Sequence, residues 1–360
     1  MKELSKAAGA VAGLDLGDRE SQLVVLDRKG RVVEELRLAT GPEALRRRFS
    51  GCPRMRIALE TGMHSPWVSG VLEQCGHEVI VANSRKLRLI YQNPSKDDRV
   101  DALYLARLAR VDPALLSPVR HRSAAAQKDL TLLRSRDVLV AARTQLINHV
   151  RGLVKSAGGR LPVCATSVFG PRTWTHVPEA LHAALEPVVE EIASLNDRIR
   201  ALNGKIKTLA QRSYPQTKLL SQVGGVGVIT SLAFVLTLED PNRFEKSRTL
   251  GPYLGLVPGR RQSGDSDPQR RITKCGDRDL RRLLVNAAHY ILGPFGKDCD
   301  LRRFGLKIAS KGGKVSKKKA IIAVARKLAI LLHHLWRSAE VYQPLYSQTD
   351  KAARCRTNVA

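Results

Sequence analysis

Val11-Ala-Gly-Leu-Asp15-Leu-Gly17 is a short apolar run with an acid where a core-facing strand would take an aliphatic residue. Working outward, Ser21-Gln-Leu-Val-Val-Leu26 is a second apolar strand. The Arg28-Lys-Gly30 turn then leads into Arg31-Val-Val-Glu-Glu-Leu-Arg-Leu38, which alternates as a half-buried strand does. Arg56-Ile-Ala-Leu-Glu60 and Glu78-Val-Ile-Val-Ala82 make a fourth and fifth strand, with a helix over 65–74 between them. Another helix opens at Pro94-Ser95-Lys-Asp-Asp98 and ends near Arg110.

Three strands in a meander followed by β-α-β is the order of a ribonuclease H-like sheet, in which the first and fourth strands lie side by side. That order would bring Asp15 and Glu60 together. Asp98 and Asp101 are three residues apart and share one helix face. Four carboxylates at one point repel unless cations neutralise them, and hard oxygen donors favour Mg²⁺, which also binds phosphate oxygens. Each acid has a plainer reading. Ser95-x-x-Asp98 fits a capping box, Asp101 a surface charge and Glu60 a solvated strand end. Asp15 is the most telling, because a mid-strand acid in an apolar run is costly when unpaired.

The 360 residues divide unevenly in charge, with 61 Lys+Arg against 33 Asp+Glu and a net of +28. Residues 1–115 carry 19 basic and 15 acidic side chains, whereas 255–330 carry 19 and 6, a net of +13. Such an excess points to a nucleic-acid partner. Aromatic residues are only 4%, which argues against base stacking as the main binding device. The six cysteines include no C-x-x-C pair, so neither a zinc site nor a disulfide framework is expected. No stretch approaches the roughly 18 uncharged apolar residues of a membrane span, and no signal peptide opens the chain; a cytoplasmic, nucleoid-associated protein with no membrane partner is expected.

The middle of the chain is helical. Val188, Ile192, Leu195, Ile199, Leu202, Ile206 and Leu209 alternate spacings of three and four, an a/d seam over three heptads. Leu130, Leu133, Val140, Ile147, Val150 and Val154 form a matching stripe, with a Gly- and Pro-rich loop over 158–178 between the two. The seam suits an internal spacer hairpin or an oligomerisation arm. The expected division is 8–118 for the α/β domain, 119–214 for the helical region, 215–345 for a mostly helical C-terminal domain and 346–360 for a flexible tail.

In that last domain, Gly224-Gly225-Val-Gly227 lies between apolar helical stretches like the turn of a helix-hairpin-helix. Its amides could hold a DNA phosphate, or the turn could serve packing alone. Further on, Gln262-Ser263-Gly264-Asp-Ser266 lies among Arg260, Arg261, Arg270, Arg271 and Lys274. Guanidinium groups around a serine suit a phosphate and the charge that develops on it, making Ser263 a candidate nucleophile. Spacing alone equally fits a plain DNA-binding loop.

Taken in order, these motifs resemble one family. Gly-Leu-Asp15, Ala-Leu-Glu60-Thr-Gly, Lys96-Asp-Asp98-Arg-Val-Asp101-Ala, Gly-Gly-Val-Gly, Tyr253-Leu-Gly-Leu-Val-Pro, Gln-Ser263-Gly and Ile272-Thr-Lys-x-Gly-Asp-x-x-Leu-Arg-Arg-Leu-Leu are similar to the bacterial insertion-sequence transposases of the one-ten type, the Piv-like DEDD, bridge-RNA-guided recombinases. The resemblance spans about residues 10–340. It implies a RuvC-like N-terminal domain, a coiled-coil hairpin and a C-terminal transposase domain. It also implies a Mg²⁺-binding tetrad of Asp15, Glu60, Asp98 and Asp101, with Ser263 as the nucleophile of a covalent phosphoserine intermediate. The partners it implies are donor and target DNA, a structured noncoding guide RNA, and copies of the chain in a homodimer or homotetramer. Many relatives carry Ser-Ser-Gly here, whereas Gln262 precedes Ser263 and Ser266 follows, which leaves Ser266 as a second candidate. Two other readings are a metal-dependent Holliday-junction-type nuclease using only the carboxylates, and a non-catalytic nucleic-acid-binding protein. The Gly-Leu-Asp-Leu-Gly start also resembles the phosphate loop of sugar kinases and actin-like ATPases, but no second Gly-rich phosphate loop accompanies it.

Overall fold

A computed structural model describes residues 9–87, 97–268 and 270–346. The described chain falls into two compact units that divide near residue 124.

The first unit is a five-stranded sheet in the order β3-β2-β1-β4-β5. Strands β1 (Val11–Asp15), β2 (Glu20–Leu26) and β3 (Val32–Ala39) form the antiparallel meander. β4 (Arg56–Glu60) and β5 (Glu78–Ala82) extend the sheet in parallel from β1. β1 and β4 are neighbours, as the motif order predicts. Helix α1 (Pro42–Phe49) follows β3 and was not apparent in the sequence, since Arg46-Arg47-Arg48 leaves it only Leu45 and Phe49 to bury. Helix α2 (Ser65–Gln74) links β4 to β5.

Alternation along the strands gives the sheet two apolar faces. Ala12, Leu14, Leu23, Val25, Ile57 and Leu59 pack with Leu45, Phe49, Val68 and Leu72 of α1 and α2. The opposite face carries Val11, Ala58, Ile80, Val24 and Leu26, and is covered by α3 (Asp98–Val111) through Ala102, Leu105, Ala106 and Ala109. Asp97 caps α3, its carboxylate accepting from the Arg99 amide at 3.0 Å. Ser95, the other half of the proposed capping box, lies outside the described residues.

The second unit begins with two long antiparallel helices, α4 (Ala124–Ser156) and α5 (His182–Ser213), whose apolar seams face each other. Their register is pinned by polar pairs. Arg136 donates to Asn203 Oδ1 at 2.7 Å and Arg143 to Asn196 Oδ1 at 2.8 Å, and Tyr214 donates to Asp129 at 2.6 Å near the base. Burial and that carboxylate push the Tyr214 hydroxyl up to about 12. The seam is therefore filled within the chain, which is the hairpin reading. The connection over 158–178 is not all loop: Phe169–Thr173 is a short helix, and Phe169 is buried with Val154, Leu185 and Ile192.

At its base the hairpin shares one core with the C-terminal helices. Leu130, Leu133 and Ile206 join residues of α6 (Val228–Leu238), α7 (Arg278–Leu292), α8 (Asp300–Ala309) and α9 (Gly313–Ser338). Asp137 of α4 accepts from Arg282 of α7, tying the two regions by charge as well. No helix among the described residues is long and apolar enough to cross a membrane. The tail from 347 onward lies outside the described residues.

Candidate functional site

Two groups of residues carry the proposed chemistry, one in each unit. In the first, register places the acids. Val11 pairs with Arg56 and Leu14 with Leu59, so one further step sets Asp15 beside Glu60 on strands roughly 4.8 Å apart. Both acids share the sheet face of Gly13 and Ala58, the one that α3 covers. α3 runs antiparallel to β4, because Arg56 at the start of that strand donates to the carbonyl of Ala109 near the helix C-terminus at 3.2 Å. The helix N-terminus, with Asp101, therefore lies toward the strand ends that carry Asp15 and Glu60. Asp101 is buried at 6% exposure, while Asp98, one turn earlier, is exposed.

Gly13 makes this arrangement possible. A Cβ built there would sit 1.9 Å from the Ala102 carbonyl oxygen and 2.7 Å from the Ala106 nitrogen. Only glycine lets the α3 backbone lie directly on β1, and that approach brings Asp101 down to the sheet. In the sequence Gly13 stands out only as part of the Gly13-Leu-Asp15 motif. The strand end at Glu60 is also braced: the Thr61 amide donates to Ala82 O at 3.0 Å, the Thr61 and Ser84 hydroxyls are 2.9 Å apart, and the Gly62 amide donates to Ser65 Oγ at 2.9 Å.

The donor chemistry here, carboxylate oxygens only, fits a hard divalent cation. The convergence is less complete than the motif order suggests. Among the described residues, no three His, Cys, Asp or Glu side chains come close enough together to hold an ion. Asp15, Glu60 and Asp101 share an end and a face, and Asp98 stands further out.

In the second unit, the segment around Ser263 is not a loose loop. It is a β-hairpin whose arms are joined by Thr273 N to Val257 O at 2.9 Å, Gly259 N to Arg271 O at 2.9 Å and Lys274 N to Gly255 O at 3.2 Å. At the tip, Ser263 and Ser266 exchange both backbone hydrogen bonds at 3.1 Å, with Gly264 at φ +54 between them. Residues opposed in this way project to the same face, so the two hydroxyls lie side by side at the exposed tip. Among the described residues Ser263 Oγ makes no hydrogen bond.

The arginines are spread along the arms. Arg260 reaches across to Asp267 at 3.4 Å and donates to Gln262 Oε1 at 2.6 Å. Arg261, Arg270 and Arg271 are exposed. Lys274 lies at the base, in a left-handed conformation at φ 55. That base is rigid for a stated reason. A Cβ at Gly255 would fall 2.3 Å from the Cys275 nitrogen, and one at Gly276 would fall 2.0 Å from the Tyr253 carbonyl oxygen. Arg281 then clamps both sides, donating to Leu254 O at 3.0 Å and Cys275 O at 2.7 Å. No local pattern signals this last role, since Arg281-Arg282 reads only as more positive charge.

The Gly-x-Gly turn divides its two glycines. Gly225, at φ +82, backs onto α7, where a Cβ would meet Ala287 O and Tyr290 Cδ1 at 3.0 Å. Gly227 caps α6 and is exposed, with nothing near its Cα face.

The mixed sheet that carries the acids and the hairpin that carries Ser263 each fall in a stretch matched by a transposase family, the class of DNA transposases and recombinases. The comparisons with known proteins agree. A family model described as "Transposase" (DEDD_Tnp_IS110) matches residues 12–158, and one described as "Transposase IS116/IS110/IS902 family" matches residues 217–295. The chain is similar to the transposase for insertion sequence element IS1111A of Coxiella burnetii, at 28% identity over 261 residues, 70% of each chain. It is 27% identical over 344 residues to a probable family 20 transposase of Pseudomonas aeruginosa, 92% of this chain and 98% of the relative. A pilin gene-inverting protein of Moraxella lacunata is 27% identical over 245 residues, 68% of this chain and 66% of the relative. The chain belongs to the IS110 family of transposases. A DEDD-type domain points to dependence on a divalent metal.

Proposed function

We propose that this transposase exchanges DNA strands through a covalent bond to Ser263, assisted by Mg²⁺ at a RuvC-like acidic site. Ser263 Oγ attacks a backbone phosphorus. The new Oγ–P bond replaces the bond from phosphorus to a sugar oxygen, and the serine proton ends on that leaving oxygen. Arg260, Arg261, Arg270 and Arg271, with Lys274 at the base, hold the phosphate and offset the charge that builds on it. The reverse attack, by a hydroxyl from another strand, frees the serine and completes the exchange without loss of phosphodiester energy. The observation that carries this reading is an exposed serine at the tip of a rigidly based, arginine-flanked hairpin in the transposase-matched region.

Asp15, Glu60, Asp98 and Asp101 would hold the ions, which supply charge neutralisation at phosphate oxygens. Gly227 and Gly225 would present the turn preceding α6 to a phosphate. A structured noncoding guide RNA would supply site choice, drawn by the same basic surface as donor and target DNA. Assembly as a homodimer or homotetramer would let the acids of one copy serve the serine of another.

The test is a trapped adduct. Wild-type protein with a suicide DNA substrate should give a protein–DNA species resistant to denaturant. Ser263→Ala should lose it while binding the same DNA. An adduct that survives in Ser263→Ala but disappears in Ser266→Ala would move the nucleophile. Cleavage without any adduct would favour a junction nuclease that uses the carboxylates and water. A discrete, nuclease-sensitive RNA copurifying with the protein is the expected sign of the guide.

A further inference from the structure

The turn between α7 and α8, Gly293-Pro294-Phe295-Gly296, spends one of the chain's few aromatic residues on solvent. Phe295 is 78% exposed and Tyr290, one turn back in α7, is 48% exposed. The turn is firmly built. The Gly296 amide donates to Gly293 O at 3.2 Å, and Arg302 Nη1 caps the helix end by donating to Ile291 O at 2.5 Å and Gly293 O at 2.7 Å. A Cβ at Gly296 would strike Ile291 O at 2.1 Å, so the knuckle requires glycine there. Exposure of one ring is ordinary by itself; here the ring stands on a fixed turn next to a second half-exposed aromatic, Tyr290, and a cavity.

Beside this knuckle lies a cavity of about 320 Å³, whose lining includes Gln222, Gly224, Tyr290, Lys297, Tyr342 and Asp298, the Asp298 carboxylate being paired with Arg303 at 2.6 Å. The segment over 342–344 closes one side, with Tyr342 N donating to Gln222 Oε1 at 3.1 Å and Asp300 N donating to Pro344 O at 2.8 Å. Exposed Lys297 adjoins both the knuckle and the cavity, within the span that carries the +13 net charge. The volume falls at the low end of small-molecule sites, roughly 300–1,000 Å³, which suits one planar ring system.

We propose that Phe295, Tyr290 and this cavity form a station for a single unpaired nucleobase, with Lys297 and the Gly224 turn holding its backbone. Aromatic faces bind bases by stacking, which a duplex forbids because its base faces are covered. The basic surroundings favour a polyanion, and the cavity limits the ligand to a base that has left its stack. The site lies outside the Ser263 hairpin and the acidic face, and rests only on the chain's being a nucleic-acid enzyme.

The test uses full-length protein and 12-nucleotide oligo(dT) or oligo(U) bearing one 5-iodouracil. Ultraviolet crosslinking should map to residues 290–297 or 342. Phe295→Ala should weaken single-strand binding by roughly 5- to 100-fold and change duplex binding less than twofold, while Phe295→Trp restores it. Dependence on Phe295 with only one of the two oligomers would identify DNA or RNA as the source of the base. Equal losses on single strand and duplex, or no loss on either oligomer, would overturn the proposal. These binding readouts are independent of adduct formation, so they stand or fall apart from the Ser263 chemistry.

Discussion

The acidic face and the serine hairpin solve opposite positioning problems. Asp15, Glu60 and Asp101 are carried on a strand pair and a helix whose backbones touch at Gly13, within a region of near-balanced charge. Ser263 stands at the end of a thin, exposed ribbon whose base is fixed by Gly255, Gly276 and Arg281. As the proposed cation ligands, the acids would need mutual fixity, because three or four carboxylates must meet an ion at once. The proposed nucleophile would instead need projection, to reach a duplex. The chain packs the first group against the sheet, Asp101 buried and Asp15 and Glu60 half-buried, and extends the second.

The sharpest way to break this contrast is at Asp101. Asp101→Asn preserves shape and should lower Mg²⁺-dependent strand exchange by about 100-fold or more, with duplex binding unchanged in a filter-binding assay. Full activity would remove Asp101 from the acidic set.

Next come the glycines. Gly13→Ala forces α3 off β1 and should cost roughly 1–3 kcal/mol of stability, read as faster hydrogen exchange in β1 and α3 and a lower melting midpoint. An unchanged midpoint would mean that the helix does not depend on that close approach. Gly276→Ala acts locally. It should loosen the ribbon's base and reduce adduct formation about tenfold by misplacing the serine, with β1 exchange unaffected; loss of protection in both units would show that the ribbon is not independent.

The smallest effect concerns His333, which accepts from Ser247 Oγ at Nδ1 (2.9 Å) and donates from Nε2 to Pro241 O (2.8 Å). Burial holds its proton affinity below the ordinary value near 6.5. In the unfolded chain the ring takes up a proton as pH falls through that value, whereas the folded ring resists. Stability is therefore full above about pH 6.5 and declines below it. His333→Gln should flatten that part of a melting-against-pH curve; an identical slope would assign it to other groups.

What the sequence disclosed follows from the range of the interactions involved. β1, β4, β5 and α2 were legible because alternation and apolar runs are local signals. The helical hairpin was legible because its seam repeats for three heptads. α1 was hidden by its arginines, and the serine ribbon by its Gly, Pro and Arg content, which carries no alternation even though backbone bonds pair its arms. The placement of Asp101 depends on Gly13 meeting Ala102, some ninety residues away, which no local pattern encodes. Asp98 and Asp101 fit one motif, yet only the packed helix separates the buried acid from the exposed one.

The α4–α5 hairpin carries a consequence of its own. Its helices, 33 and 32 residues long, rise about 1.5 Å per residue and so extend roughly 50 Å. Because the Arg143–Asn196 and Arg136–Asn203 contacts keep one antiparallel register, removing seven residues from each arm would shorten the rod by about 10 Å without disturbing the seam. Reach in this protein is thus a modular length, adjustable in heptad steps like the rungs of a ladder, with no change to the residues of either proposed site.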